Sequence, residues 1–236
     1  MVQLKRQHFK SLLVVCAIAV LVVIGSTVAF FTSRDESTNR FEGGSFDILL
    51  TETKWNPEAG REVMPGDELE KNPQITNVER IPGYVFLRVT VPCDSQMVDN
   101  DDGTPLGEVS AYVPMYKFMV RNGDSYDVDT TFTSAQQVHR HWQLVSGYPK
   151  RNEAEQAYVY VYAYANPSAL IPLGQGEITE PLFDKLHLWN FDESYDPEQS
   201  HNVLVEALGI QADLPGYTAG QISEIWAILD RGGGGA

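Results

Sequence analysis

The sequence predicts an all-β protein: a jelly-roll-like antiparallel β-sandwich with one short C-terminal amphipathic helix. Two observations carry this. Apolar and aromatic residues alternate with period two along much of the chain, and turn dipeptides separate the alternating runs. A third marks the exception, because only one late segment changes to helical spacing.

The chain of 236 residues opens on a leader. Lys5, Arg6 and Lys10 form a basic start, Ser11 to Ile24 is almost wholly apolar, and small residues follow, with Thr27 and Ala29 where a signal peptidase reads. The apolar run is shorter than the roughly 20 residues that span a bilayer. Residues 1–29 therefore read as a secretory signal peptide cut between Ala29 and Phe30, rather than a retained anchor. The expected location is extracellular, in a matrix or at the cell surface.

Cleavage changes the charge. The leader removes three of 17 basic residues and none of 32 acidic ones, which leaves 14 against 32, a net of −18. Such a surface repels nucleic acid and anionic lipid. No nucleic-acid partner is expected, and the membrane is met only in transit through the leader. Of the two cysteines, Cys16 leaves with the signal and Cys93 remains. With one thiol there is no internal disulfide, so packing and strand pairing must hold the fold.

The mature chain is expected to be one domain over 30–230. After Phe30 and Phe31 comes the polar run TSRDESTNR, then Phe41, then FDILLTE with Phe46, Ile48 and Leu50 on one face. YVFLRVTV places Val85, Leu87, Val89 and Val91 on one side. AYVYVYAYA alternates Tyr158, Tyr160, Tyr162 and Tyr164 with Val159, Val161, Ala163 and Ala165. The tyrosine stripe reads either as a sandwich wall or as a binding face. Further strands are expected at 74–79, 112–121, 138–146, 182–191 and 202–212. Turns fall at Pro65-Gly66-Asp67, Pro82-Gly83, Asn122-Gly123-Asp124 and Ser146-Gly147. Residues 93–110 read as an acidic insertion loop. In YTAGQISEIWAIL, Ile222, Ile225, Trp226 and Leu229 recur at helical spacing, and Thr218 with Gln221 resembles a capping box. Residues 231–236, RGGGGA, read as a flexible tail.

Three blocks resemble one family. The first runs from the leader through Ala29-Phe30-Phe31, Thr38-Asn39 and Phe41-Glu42-Gly43-Gly44 to Asp47-Ile48-Leu49-Leu50. The second carries Pro65-Gly66-Asp67, Lys71, Thr76-Asn77 and Tyr84 to Val89. The third joins Ile210-Gln211-Ala212 to a helix bearing Trp226. Together they are similar to the TasA/camelysin family of secreted matrix proteins of Gram-positive bacteria, which are processed by a SipW-type signal peptidase. Residues 92–202 show no such likeness. The resemblance implies a jelly-roll subunit of a biofilm-matrix fibre, assembled head to tail by donor-strand complementation. It implies the chain itself, related matrix subunits and the signal peptidase as partners. The donated segment would be 30–45, with Phe30, Phe31, Phe41 and Phe46 as its aromatic anchors. The other reading of Phe30 and Phe31 is a first strand of their own sandwich. Two further functions stay open: a monomeric adhesin or glycan-binding module using the tyrosine strand, and a camelysin-like metallopeptidase.

Enzymatic motifs are sparse. The sequence has no His-Glu-x-x-His and no Gly-x-Ser-x-Gly, so no catalytic residue is assigned. His139 and His141, spaced i, i+2, are expected on one strand face as two zinc ligands or as a solvated pair. Asp99, Asp101 and Asp102 precede Gly103, and Glu108 follows. Oxygen donors before a glycine turn make calcium the one candidate cofactor, against an acidic solvated loop.

Overall fold

The computed structural model describes residues 46–56, 63–94, 98–99, 105–107, 112–191 and 202–232. The leader and residues 30–45, including Phe30, Phe31 and Phe41, lie outside the described residues. The early strands are β1 (Ile48–Thr51), β2 (Glu68–Glu70), β3 (Gln74–Asn77) and β4 (Gly83–Asp94). Short strands follow: β5 (Val98–Asp99), β6 (Pro105–Gly107) and β7 (Val113–Pro114). Then come β8 (Tyr116–Asn122), β9 (Ser125–Val128), β10 (Trp142–Leu144), β11 (Lys150–Asn152) and β12 (Ala157–Asn166). The last are β13 (Ala169–Leu170), β14 (Lys185–Leu188), β15 (Asn190–Phe191) and β16 (Leu204–Gln211), before the helix α1 (Ile222–Gly232).

The architecture is an antiparallel sandwich. The main sheet runs β10-β12-β4-β16, with β11, β13 and β7 on its margins. Facing it is β2-β14-β8-β9, beside the β1-β3 ribbon. The alternation read from the sequence decides which side chains meet between them. Val85, Leu87, Val89 and Val91 of β4 share one buried cluster with Tyr160 and Tyr162 of β12 and with Phe118, Leu186 and Leu188 opposite. Tyr160 stands across from Val89 and Tyr162 across from Leu87. The two tyrosine rings stack 6.1 Å apart, and Phe118 lies against both. The stripe is thus a wall of the sandwich. Tyr160 and Tyr162 are buried, which removes them as a surface for glycans. Burial raises both phenols' pKa.

The other parity of the same strands faces α1. Phe86, Val161, Ala163, Ala165 and Leu208 form a second cluster with Ile225, Trp226 and Leu229. Trp226 lies 5.5 Å from Phe86 and donates its indole N–H to the Tyr148 hydroxyl at 3.2 Å. At the helix start the Thr218 N–H donates to Gln221 Oε1 at 2.9 Å, the reciprocal half of a capping box. The helix continues through Arg231 and Gly232, two residues into the expected tail, and the Arg231 side chain donates to the Ala227 carbonyl.

The region expected as a loop over 93–110 is partly ordered pairing. Cys93 and Asp94 still belong to β4, and β5 and β6 pair within a small sheet completed by β15. Elsewhere the expected strands form but are shorter. The stretch 138–146 yields only Trp142–Leu144, and 182–191 is split into β14 and β15.

Candidate assembly edge

The last strand of the main sheet carries the site. β16 hydrogen-bonds to β4 along its whole length, from Leu204 opposite Thr90 to Gln211 opposite Gly83. Among the described residues no strand pairs its other side. An antiparallel edge strand points half of its backbone N–H and C=O groups away from its partner. Eight residues of such an edge form a template for another strand. Alternation gives the edge two different faces. Val205, Ala207 and Gly209 look into the sandwich, whereas Leu204, Glu206, Leu208 and Ile210 look outward.

The outward face is divided. Leu208 and Ile210 lie in the apolar cluster of α1. Glu206 lies beyond the helix, its side chain half exposed, directly across from Arg88. The Arg88 guanidinium is shared. It donates to Asp230 of α1 at 2.7 Å and stands 3.5 Å from Glu206. Its planar group also lies 5.2 Å from the Trp226 ring. Two carboxylates around one guanidinium leave this part of the edge net negative. Beside it a trough of about 980 Å³ opens over the uncovered part of the sheet, bounded by Arg88, Thr90, Tyr148, Val159, Leu204 and Asp230.

The inward face also receives Phe46. Phe46 is buried, and its ring lies on Gly83 and Gly209. A Cβ on Gly83 would stand 1.8 Å from the Phe46 ring, and one on Gly209 would stand 2.7 Å from it. These two glycines are the cavity for that ring. Ile48 also touches Gly209, so the start of β1 crosses under the far end of β16. Grouping Phe46 with the donated anchors is therefore corrected: it belongs to its own chain's core, and any donated segment ends before it.

Compared with family models, curated proteins and solved structures, the chain gives no match.

The histidine pair does not form the expected site. His139 and His141 sit in the turn before β10, not on a strand, and each meets a different carboxylate. His139 Nε2 is 2.7 Å from Asp184, which also accepts the Arg121 N–H. His141 Nδ1 is 3.1 Å from Glu180, which accepts the His141 N–H as well. Both acids hold backbone in place, so the pair serves turn geometry. Among the described residues no three His, Cys, Asp or Glu side chains converge as a metal site. Asp101, Asp102 and Glu108 lie outside the described residues, and Asp99 is described only as a β5 residue paired to Asn190 and Pro105.

Sequence reading missed Glu206, Arg88 and Asp230, which are far apart in the chain. It also missed the Gly83–Gly209 cavity. The available signal was a glycine inside each of two strand patterns, which marks a close approach.

Proposed function

We propose that this chain is a secreted structural subunit of an extracellular matrix fibre, in which residues 30–45 of one copy add a strand to β16 of the next. One observation carries the reading: β16 is eight residues long and, among the described residues, is paired on one side only. Strand addition gains main-chain hydrogen bonds along such an edge, and alternate side chains supply selectivity. Phe46 supports the same reading. Its ring is held in its own core beside Gly209, near the end of β16, so the donated segment stops short of it. Donation by one surface to a different surface is heterologous and propagates into open filaments. The resemblance to matrix-fibre proteins points the same way, with related matrix subunits and a SipW-type signal peptidase as further partners.

The test compares two purified chains by negative-stain electron microscopy, one beginning at Phe30 and one at Glu42. Filaments are expected from the first and monomers from the second. Monomers from both, at the highest soluble concentration, would sink the reading.

A further inference from the structure

β1 is buried on a side where no described strand pairs with it. The Asp47 carbonyl accepts the Val78 N–H at 3.2 Å, so Asp47, Leu49 and Thr51 turn their backbone groups toward β3. β3 keeps the same alternation, because Ile75 and Asn77 turn theirs the other way, to Thr179 and Glu177. Phe46, Ile48 and Leu50 therefore turn their N–H and C=O groups away from β3, where no strand meets them among the described residues. Yet Ile48 is only 6% exposed and Leu50 9%, backbone included. Buried backbone groups are almost always paired. An uncovered edge looks different: Leu204, at the start of β16, is 59% exposed. The second side of β1 is thus a strand site that needs an occupant.

The nearest occupant is the chain's own segment just before it. Residues 38–45, TNRFEGGS, lie outside the described residues and join directly onto Phe46. A segment tethered so closely has an effective concentration in the millimolar range, which a separate partner must exceed. Its sequence suits a hairpin. Either Gly44-Ser45 or the four residues 42–45 can form the loop. The first loop closes on Gly43 with Phe46, the second on Phe41 with Phe46. Both use the backbone groups that Phe46 turns away from β3. Both also set Phe41 on the inward face, opposite Ile48 or Phe46, and Arg40 on the outward face, opposite Leu49 or Asp47. The other inward position holds Asn39, which is uncharged. A slip of one residue would turn Arg40 and Glu42 inward against the core.

We infer that the second side of β1 is taken by residues 38–42 of the same chain, folded back as an antiparallel strand with Phe41 facing the core. Phe41 thereby leaves the group of donated anchors and joins Phe46 in its own sandwich. The hairpin needs no second copy and stands without the fibre reading. Where that reading holds, the donor shortens to residues 30–37, eight residues for the eight of β16.

Three chains test the hairpin, beginning at Phe30, Thr38 and Glu42 and melted as dilute monomers. The Thr38 chain keeps the hairpin and lacks the donor. It should form no filaments and melt within about 2 °C of the Phe30 chain, whereas the Glu42 chain should melt about 5–10 °C lower. Within the Thr38 chain, Phe41→Ala should lose most of that difference and Arg40→Ala little of it, because only Phe41 faces inward. In the Phe30 chain, Phe41→Ala should still give filaments. A Glu42 chain as stable as the Thr38 chain would overturn the hairpin. So would a Glu42 chain that recovers its stability by dimerising, which would give the edge to a second copy. Filaments lost on Phe41→Ala with no change in melting would return Phe41 to the donor and overturn it as well. None of these outcomes sinks the fibre reading, which falls if the Phe30 chain forms no filaments; the melting comparison then still decides the hairpin.

Discussion

Two edges of the sandwich are treated in opposite ways. β8 pairs with β14 on one side, and on the other β9 covers only Met119 to Asn122. The remaining half of that side is closed by a side chain. Gln136 Oε1 accepts the Phe118 N–H at 2.9 Å, and its Nε2 donates to the Tyr116 carbonyl at 2.9 Å. One amide thus stands in for a strand. The segment carrying it is fastened by Lys117, which is wholly buried and donates to the Thr133 and Ala135 carbonyls, both at 2.9 Å. Tyr160 adds a hydrogen bond to the Ser134 carbonyl. β16 has no such cover among the described residues, although its edge is longer. A chain that closes three residues of one edge with this much chemistry has the means to close the other. Edge strands are normally blunted because they recruit partners. The contrast separates an edge closed by side chains from one that, among the described residues, is left open, as the proposed strand donation requires.

The strongest way to break the comparison is to damage the floor beneath β16. Gly83→Ala leaves no room for Phe46, so the ring must leave its cavity. The expected loss is about 3–5 kcal/mol, the usual range for removing a buried phenylalanine. Phe46→Ala should cost a similar amount in urea denaturation. The double substitution should be little worse than either single one, because both remove the same contact. Additive losses would mean that Gly83 matters for its backbone and not for the ring.

Opening the closed edge should have a smaller effect. Gln136→Ala removes the acceptor of the Phe118 N–H and the donor to the Tyr116 carbonyl, at a cost of about 2–3 kcal/mol. It should not create filaments in the chain that begins at Glu42, since the exposed stretch covers only residues 116–118 and is partly overlain by the Lys117-held segment. Polymerisation of that variant would show that any open edge suffices, and it would erase the distinction drawn for β16.

Much of the sandwich was legible because period two is a local property. Alternation in β4 and β12 fixed which side chains face inward, and the Trp226 pattern fixed the helix. What was not legible depends on distant partners. Nothing local distinguishes Gln136 from a solvated glutamine, because its role comes from a strand 18 residues away. His139 and His141 suggested a shared strand face, but Asp184 and Glu180, some 40 residues on, draw the backbone into a turn. The acidic edge at Glu206 needed a β4 arginine and a helix aspartate that only the fold brings together. Phe46 looked like one more aromatic of the leading segment until two glycines, more than a hundred residues apart, formed its cavity.

The smallest effect probes the fastening of the closed edge by pH. Asp129 stands 3.7 Å from the Lys117 ammonium and accepts the Thr131 N–H at 2.8 Å. Burial pushes its carboxyl up, but the Thr131 hydroxyl and N–H and the Lys117 charge together draw it below its usual value. A carboxyl depressed in the folded state contributes stability that is fully present above its unfolded pKa, roughly 3.9. That contribution is lost as pH falls through the lower folded value. Lys117 has the opposite balance: burial lowers its pKa and Asp129 only partly restores it. Its own contribution therefore varies on the alkaline side and leaves the acid side to Asp129. Asp129→Asn should thus cost about 1 kcal/mol near pH 7, an estimate kept small because the group is a quarter exposed. Its melting temperature should approach that of the parent as pH falls below the usual carboxylate range. A difference that stays constant down to the lowest pH at which both fold would mean that Asp129 acts through its shape, as an acceptor for Thr131, and that the Lys117 charge is held by the two carbonyls alone.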